Sequence, residues 1–165
     1  MGTVRNMFKG ILFTGIYLTT TMIIPYLTFT WVKDLTILGV PIVMSQLEYE
    51  TILFWISAFG LMISGCAFFK YSSPKQSVRK GIFALIQIIL NCLYIWSYKF
   101  SGATEVNFTI FTIGNLSIDF SQMVVLYMGI YFLTIILKVY DLIDFTINRE
   151  KIREKRYSKK GGDNK

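Results

Sequence analysis

The sequence predicts an all-α membrane protein, a bundle of four transmembrane helices, and three observations support this fold class. Of the 165 residues, 53% are hydrophobic and 16% are charged, which is more apolar than ordinary soluble composition. The charged residues cluster and leave four long uncharged runs. Each run is close to the roughly 20 residues that a helix needs to cross about 30 Å of hydrocarbon. We therefore expect the lipid bilayer to surround the chain.

The uncharged runs cover residues 10–32, 51–69, 81–98 and 120–137. In lipid every backbone amide must be bonded internally, so runs of this length indicate helices, whereas a β-barrel needs shorter alternating segments. The predicted division of the chain is 1–9 (cytoplasmic N-terminus), 10–32 (first span), 33–50 (outer loop), 51–69 (second span), 70–80 (basic cytoplasmic loop), 81–98 (third span), 99–119 (outer β-hairpin), 120–140 (fourth span) and 141–165 (basic cytoplasmic tail).

Orientation follows from the basic residues. All but two of the 17 Lys and Arg residues lie in the N-terminus, in the loop between spans two and three, or after span four; Lys33 and Lys99 are the exceptions. Cytoplasmic segments carry the excess of positive charge, so both termini are predicted to be cytoplasmic, in a multi-pass protein of the cell membrane. The net charge of +7 has the same origin, which argues against nucleic acid as a partner.

The outer loops are predicted to form two short extracytoplasmic β-hairpins. Between Val106 and Phe120 apolar residues alternate with polar ones on both sides of Gly114-Asn115, which can supply the positive φ angles of a two-residue turn. Residues 35–43, with a bend at Gly39 and Pro41, are a weaker hairpin candidate. The candidate contacts on the outer face are Phe108, Ile110, Leu116, Ile118 and Phe120.

The two halves of the chain resemble each other. Lys9-Gly10-Ile11 opens span one as Lys80-Gly81-Ile82 opens span three, and similar triplets recur in the outer loops and before spans two and four. Either the chain is a tandem repeat of two parallel helix-hairpin-helix units, or short apolar triplets recur by chance in a membrane sequence.

Two sets of residues within the spans are candidates for helix packing or for lining a pore. Gln87 and Asn91 lie one turn apart in span three, where amides bond across helices or line a narrow pathway. Span two has a stripe of small residues that permits close helix approach. This stripe consists of Ser57, Gly60 and Ser64.

Span one contains a predicted kink. Pro25 removes a backbone hydrogen bond, and the three consecutive threonines Thr19, Thr20 and Thr21 precede it. Threonine hydroxyls can compensate for the lost bond in lipid.

The basic inner side offers candidate contacts for lipid headgroups, with a solvated tail as the alternative for its last part. These residues are Arg79, Lys80, Arg153 and Arg156. At the end of span four Lys138 is followed by Asp141 and Asp144, a spacing that predicts an intrahelical ion pair.

The sequence argues against enzymatic chemistry. It has no histidine, no closely spaced cysteine pair, no Gly-rich phosphate loop and no nucleophile elbow, so we expect no catalytic residue, cofactor or metal. The leading hypothesis is a non-enzymatic structural or interaction subunit of a membrane complex, or a self-assembling tetraspan unit, partnered by its own copies or by other membrane subunits. An oligomeric passive channel or small-solute pathway is the alternative, and a membrane-embedded enzyme comes third.

Four spans with β-structure in the outer loops resemble claudin-like and tetraspanin-like architectures. The resemblance is one of topology, because the loop cysteines and motifs of those families are missing here.

Overall fold

A computed structural model describes residues 2–33, 36–37, 40–41, 46–74, 77–101, 104–110 and 114–148 of the chain. Within these residues four helices are long and apolar enough to cross a membrane. The first consists of α1 (Gly2–Leu18), a π-helical turn (Thr19–Ile23) and α2 (Ile24–Lys33). The others are α3 (Gln46–Ser72), α4 (Val78–Phe100) and α5 (Ser121–Ile147).

The helices are longer than the uncharged runs that predicted them. A helix can continue past the membrane edge, because water or side chains there form hydrogen bonds with its end groups and solvate its charged residues. The predicted cytoplasmic N-terminus is accordingly helical from Gly2, and most of the predicted basic loop 70–80 belongs to α3 or α4.

The irregularity predicted in span one takes the form of the π-helical turn. The hydroxyls of Thr19 and Thr21 donate to the carbonyls of Gly15 and Tyr17, at 2.9 and 2.7 Å. A π-turn holds one residue more than an α-turn, and Pro25 just beyond it cannot donate a backbone hydrogen bond. Threonine hydroxyls that bond back to the preceding turn compete with the backbone hydrogen bonds and often bend a helix, which is consistent with an irregular backbone here.

Helix α3 is the centre of the packing. It is in extensive contact with α1 on one side and α4 on the other, and α4 in turn packs against α5. One stripe of α3, spaced by three or four residues, is buried. Its members are Ile52, Ile56, Phe59, Gly60, Ile63, Ser64 and Ala67.

Helix α5 is peripheral. None of its described residues is buried, although it is as long and as apolar as α3. The Asp119 carboxylate accepts the backbone N–H of Ser121 at 2.7 Å and helps to begin α5. Hydrogen bonds from the Ser121 hydroxyl and backbone lower the pKa of Asp119, so this contact is present at neutral pH and is lost as pH falls through the lowered pKa.

Two pairs of short strands lie between the helices. In the first loop β1 (Thr36–Ile37) pairs with β2 (Val40–Pro41), and in the second β3 (Glu105–Ile110) pairs with β4 (Gly114–Asp119), both antiparallel. They remain two separate two-stranded sheets, with β2 near β3. The side of the membrane on which they lie stays a prediction.

The predicted turn at Gly114-Asn115 is wrong. Gly114 pairs with Ile110 and Asn115 with Thr109, so both residues belong to β4. The Gly-Asn pair is a local turn signal. Pairing over six residues on each strand instead sets a register in which Val106 lies opposite Ile118 and Phe108 opposite Leu116.

At Gly60, α3 packs closely against the first span. A Cβ at this position would lie 2.6 Å from Cβ of Met22 and 3.1 Å from the carbonyl oxygen of Thr21. Gly65, in the same helix, has no other described part of the chain within 4 Å of its Cβ position. The two glycines form a matched pair in which only Gly60 is packed by described residues of its own chain.

We expect Gly60→Ala to lower the free energy of unfolding by about 1–3 kcal/mol, because the two backbones must separate. Gly65→Ala should leave it unchanged or raise it slightly, since alanine favours helix. Unfolding of both variants in detergent, at low protein concentration, measures the difference. Equal effects of the two substitutions would contradict this packing.

Candidate functional site

The polar groups within the spans mostly join one helix to another or bond back to their own helix. Gln87, predicted as part of a packing or pore-lining pair, is buried in α4, and its Oε1 accepts a hydrogen bond from Lys70 Nζ of α3 at 2.9 Å. Asn91, one turn further along, is half-buried. The amide of Gln87 therefore links α3 and α4.

The nitrogen of the same amide differs from the oxygen in its hydrogen bonding. The Nε2 of Gln87 is buried and has no hydrogen-bond partner among the described residues. An amide nitrogen carries two donor hydrogens, and leaving them unpaired in an apolar interior costs about 1–3 kcal/mol. Gln87 is thus a point where the packed core has hydrogen-bonding capacity left over.

The small-residue stripe of α3 is part of the helix interface. Gly60 and Ser64 are buried and Ser57 is half-buried. Gly60 lies against the π-turn of the first span. The Ser64 hydroxyl donates to the carbonyl of Gly60 in its own helix at 2.6 Å, so it contributes small size rather than a bond to a neighbour.

The contact that sequence reasoning missed lies between Thr21 and Tyr94. In a regular α-helix the carbonyl of residue 21 accepts the N–H of residue 25, but residue 25 is proline. The Tyr94 hydroxyl of α4 donates to the Thr21 carbonyl at 3.0 Å, and the Tyr98 hydroxyl donates to that of Tyr94 at 2.7 Å. A tyrosine of another span thus donates to a carbonyl that Pro25 cannot bond.

Aromatic rings surround this contact. The Tyr94 ring lies 6.0 Å from that of Phe59 in α3, and the Tyr98 ring lies 6.1 Å from that of Phe29 in α2, measured between centroids. Tyr94 is buried. The hydrogen bond therefore sits in an apolar environment, where water does not compete for either group.

The basic residues at the end of the bundle where α3 ends and α4 begins separate into two groups. The guanidinium of Arg79 lies over the rings of Phe69 and Phe83, at 5.3 and 5.8 Å from their centroids. Lys80 instead lines an open cavity between α3, α4 and α5, together with Lys70 and Lys138. Two further candidates for lipid-headgroup contacts, Arg153 and Arg156, lie outside the described residues.

The ion pair predicted in α5 is confirmed for one of its two carboxylates. Lys138 Nζ lies 3.0 Å from Asp141 Oδ2. Asp144 accepts a hydrogen bond from the Asn148 side chain at 2.7 Å. Both interactions are exposed.

The outer-face candidates are placed by strand register. Phe108 and Leu116 are cross-strand partners, Ile110 lies opposite Gly114, and Ile118 opposite Val106. Phe120 directly precedes α5 and is exposed, and its backbone N–H donates to the Thr104 carbonyl at 2.8 Å.

In the described ranges no three or more His, Cys, Asp or Glu side chains are grouped so that they could hold a metal ion. No protein-family model matches the chain, and no curated protein or solved structure was found to match it.

We expect Tyr94→Phe to lower the free energy of unfolding by about 1 kcal/mol, because the Thr21 carbonyl loses its donor. In a Pro25→Ala background residue 25 regains an N–H that can bond this carbonyl, so the same substitution should cost less; the Tyr98 hydroxyl loses its acceptor in both backgrounds. Unfolding of the four chains in detergent gives the coupling energy. An identical loss with and without Pro25 would show that the hydroxyl does not compensate for the proline.

Proposed function

We propose that the chain is a non-enzymatic multi-pass membrane protein that acts by assembly, as a structural or interaction subunit of a membrane complex or as a self-assembling tetraspan unit. The observation that supports this most is a division among the glycines of the helices. Gly10, Gly60 and Gly81 each lie against another helix of the chain, with a Cβ position within 3.0 Å of a neighbouring side chain. For Gly15, Gly65 and Gly129 no neighbour from the described part of the chain lies within 4 Å of the Cβ position.

Among residues 2–33, 46–74, 77–101 and 114–148, which contain the four long helices, no other helix packs against the Cβ positions of the second group. Glycine weakens a helix relative to alanine. In a membrane this loss is usually offset by packing, because glycine lets another helix approach closely. The three residues are exposed and lie in α1, α3 and α5. A neighbouring chain that packs against these faces would offset the lower helix stability.

The proposed placement has both termini in the cytoplasm and the strand pairs outside, in the cell membrane. Its support is the positive-inside distribution of the basic residues. Gly10 of α1 lies against Phe68 and Ser72 near the end of α3, so the basic segments before span one and after span two lie at the same end of the bundle.

A tandem arrangement of two helix-hairpin-helix units belongs to the same proposal. Gly10 and Gly81 follow the lysines of the two matching triplets, and each packs against the second helix of its own half. Gly10 contacts α3, and a Cβ at Gly81 would lie 2.7 Å from Leu142 of α5. Equivalent glycines with equivalent neighbours are what a duplication would leave.

The strand pair β3–β4 is the proposed outer hairpin for contacts with other subunits. In its register apolar residues lie opposite apolar residues at Val106–Ile118 and Phe108–Leu116. A lone two-stranded hairpin is marginally stable in water, so an apolar face on it needs cover.

An oligomeric passive channel is the second candidate, and the unpaired Nε2 of Gln87 favours it. A buried amide donor with no partner in the part of the chain that the structure describes is a group that a polar pathway could use. The bond from Lys70 to the same amide favours packing instead.

We expect the purified chain in lipid nanodiscs to have a native mass above that of one copy. Gly129→Leu should reduce the assembly, because its Cβ position has no neighbour among the described residues and the added side chain would obstruct a partner helix. Ile130→Leu, an exposed apolar exchange at the next residue of α5, is the control and should leave the mass unchanged.

Replacing residues 106–118 by a Gly-Ser segment tests whether the hairpin makes the proposed contacts with other subunits. Asp119 and Phe120 are kept because they begin α5. A monomer that co-purifies with no partner would contradict assembly. Liposome flux that disappears in Gln87→Leu or Asn91→Leu would favour the channel.

A further inference from the structure

The cavity at the basic end of the bundle lies between α3, α4 and α5 and has a volume of about 360 Å³. Three lysines from three different helices line it: Lys70, Lys80 and Lys138. Asp141 is the acidic residue in its wall, and it pairs with Lys138. The described wall therefore carries a net charge of about +2, which is a cost unless an anion is bound.

The start of α4 adds to this positive character. Ser77 caps the helix by accepting the backbone N–H of Lys80 at 3.2 Å, and Ser77 and Lys80 both line the cavity. The positive end of the helix dipole favours acidic residues in the first turn, but this turn has none and contains Arg79 and Lys80 instead. Two cations in this turn lower the stability of the helix when no anion is present, and they favour the binding of an anion there.

The apolar wall of the cavity consists of Ala84 and Ile88 of α4. Ile88 lies about 12 Å further along α4 than Lys80, at 1.5 Å per residue. Leu142 and Phe145 of α5 also line the cavity, but they lie between Lys138 and the tail, with Leu142 beside Gly81. The cavity thus combines three lysines, with Lys80 at its mouth at the start of α4, and an apolar wall that leads into the span.

Lys70 connects the mouth to the interior. Its ammonium group is bonded to Gln87 Oε1, and Gln87 Nε2 is buried without a partner among the described residues. An oxygen-rich anion beside Lys70 would meet the donor hydrogens of its ammonium group, whereas Gln87 is not among the residues that line the cavity.

We propose that this cavity binds the phosphate of an anionic membrane phospholipid, with an acyl chain along the apolar wall. Free phosphate shares the anionic chemistry, but it would leave the apolar wall without a contact. Basic pockets between transmembrane helices are an established way of holding acidic lipid headgroups. Arg79, which lies over two aromatic rings, is not among the residues that line the cavity.

The test is a titration of the full-length chain in an uncharged detergent, with thermal unfolding as the readout. The probes are dioctanoyl phosphatidylglycerol, dioctanoyl phosphatidylcholine and inorganic phosphate. We expect phosphatidylglycerol to raise the midpoint of unfolding at concentrations where the other two do not.

Two charge-matched variants locate the site. Lys80→Gln with Lys138→Gln should weaken phosphatidylglycerol binding about tenfold or more, from roughly 1 kcal/mol per charge. Arg79→Gln with Lys99→Gln removes the same charge outside the cavity lining and should change the affinity less than about threefold, because screening weakens distant charges.

A third variant separates binding from damage to the fold. Asp141→Asn removes the acidic group of the wall and should strengthen phosphatidylglycerol binding, which partial unfolding cannot imitate. Equal stabilisation by phosphatidylcholine, equal loss in both double variants, or weaker binding in Asp141→Asn would overturn the proposal. Equal stabilisation by inorganic phosphate would show a free-anion site and overturn the lipid assignment.

Discussion

The carbonyl of Thr21 is the constraint on which the packing of the bundle depends. Pro25 deprives it of the N–H that a regular helix would supply, and lipid offers no water in its place. Tyr94 of α4 donates to it, while Gly60 of α3 brings its backbone against the same turn. Three of the four spans therefore meet at one backbone irregularity, whose position along each helix also sets how the helices lie beside one another.

The remaining helix differs because it takes no part in this junction. The described residues of α5 include none that is buried, and its extensive packing is against α4. Its main chemical features lie at the basic end, where Lys138, Asp141 and Leu142 face the start of α4 across the cavity. The molecule thus combines a tightly packed core of three spans with a peripheral fourth, on which the proposed lipid site and part of the proposed assembly surface depend.

The sequence predicts features that depend on residues close together in the chain and misses those that depend on residues far apart in it. The four spans were predictable because uncharged length is a local property, and so was the irregularity before Pro25. Gly60 was recognisable from its stripe, although its partner at Met22 was not. Tyr94 looked like an ordinary aromatic, because its role depends on a carbonyl that is 73 residues away.

Lys70 was assigned to a basic loop, although its ammonium reaches the buried Gln87 in the next helix. The Gly114-Asn115 turn failed for the opposite reason. There a local signal was given more weight than the pairing of two six-residue strands.

The most direct test of the central claim is isotope-edited infrared spectroscopy of a chain labelled with ¹³C at the Thr21 carbonyl. The account predicts that the labelled amide I band moves to higher frequency in Tyr94→Phe, because the hydrogen bond is lost, whereas a band that stays in place would contradict it.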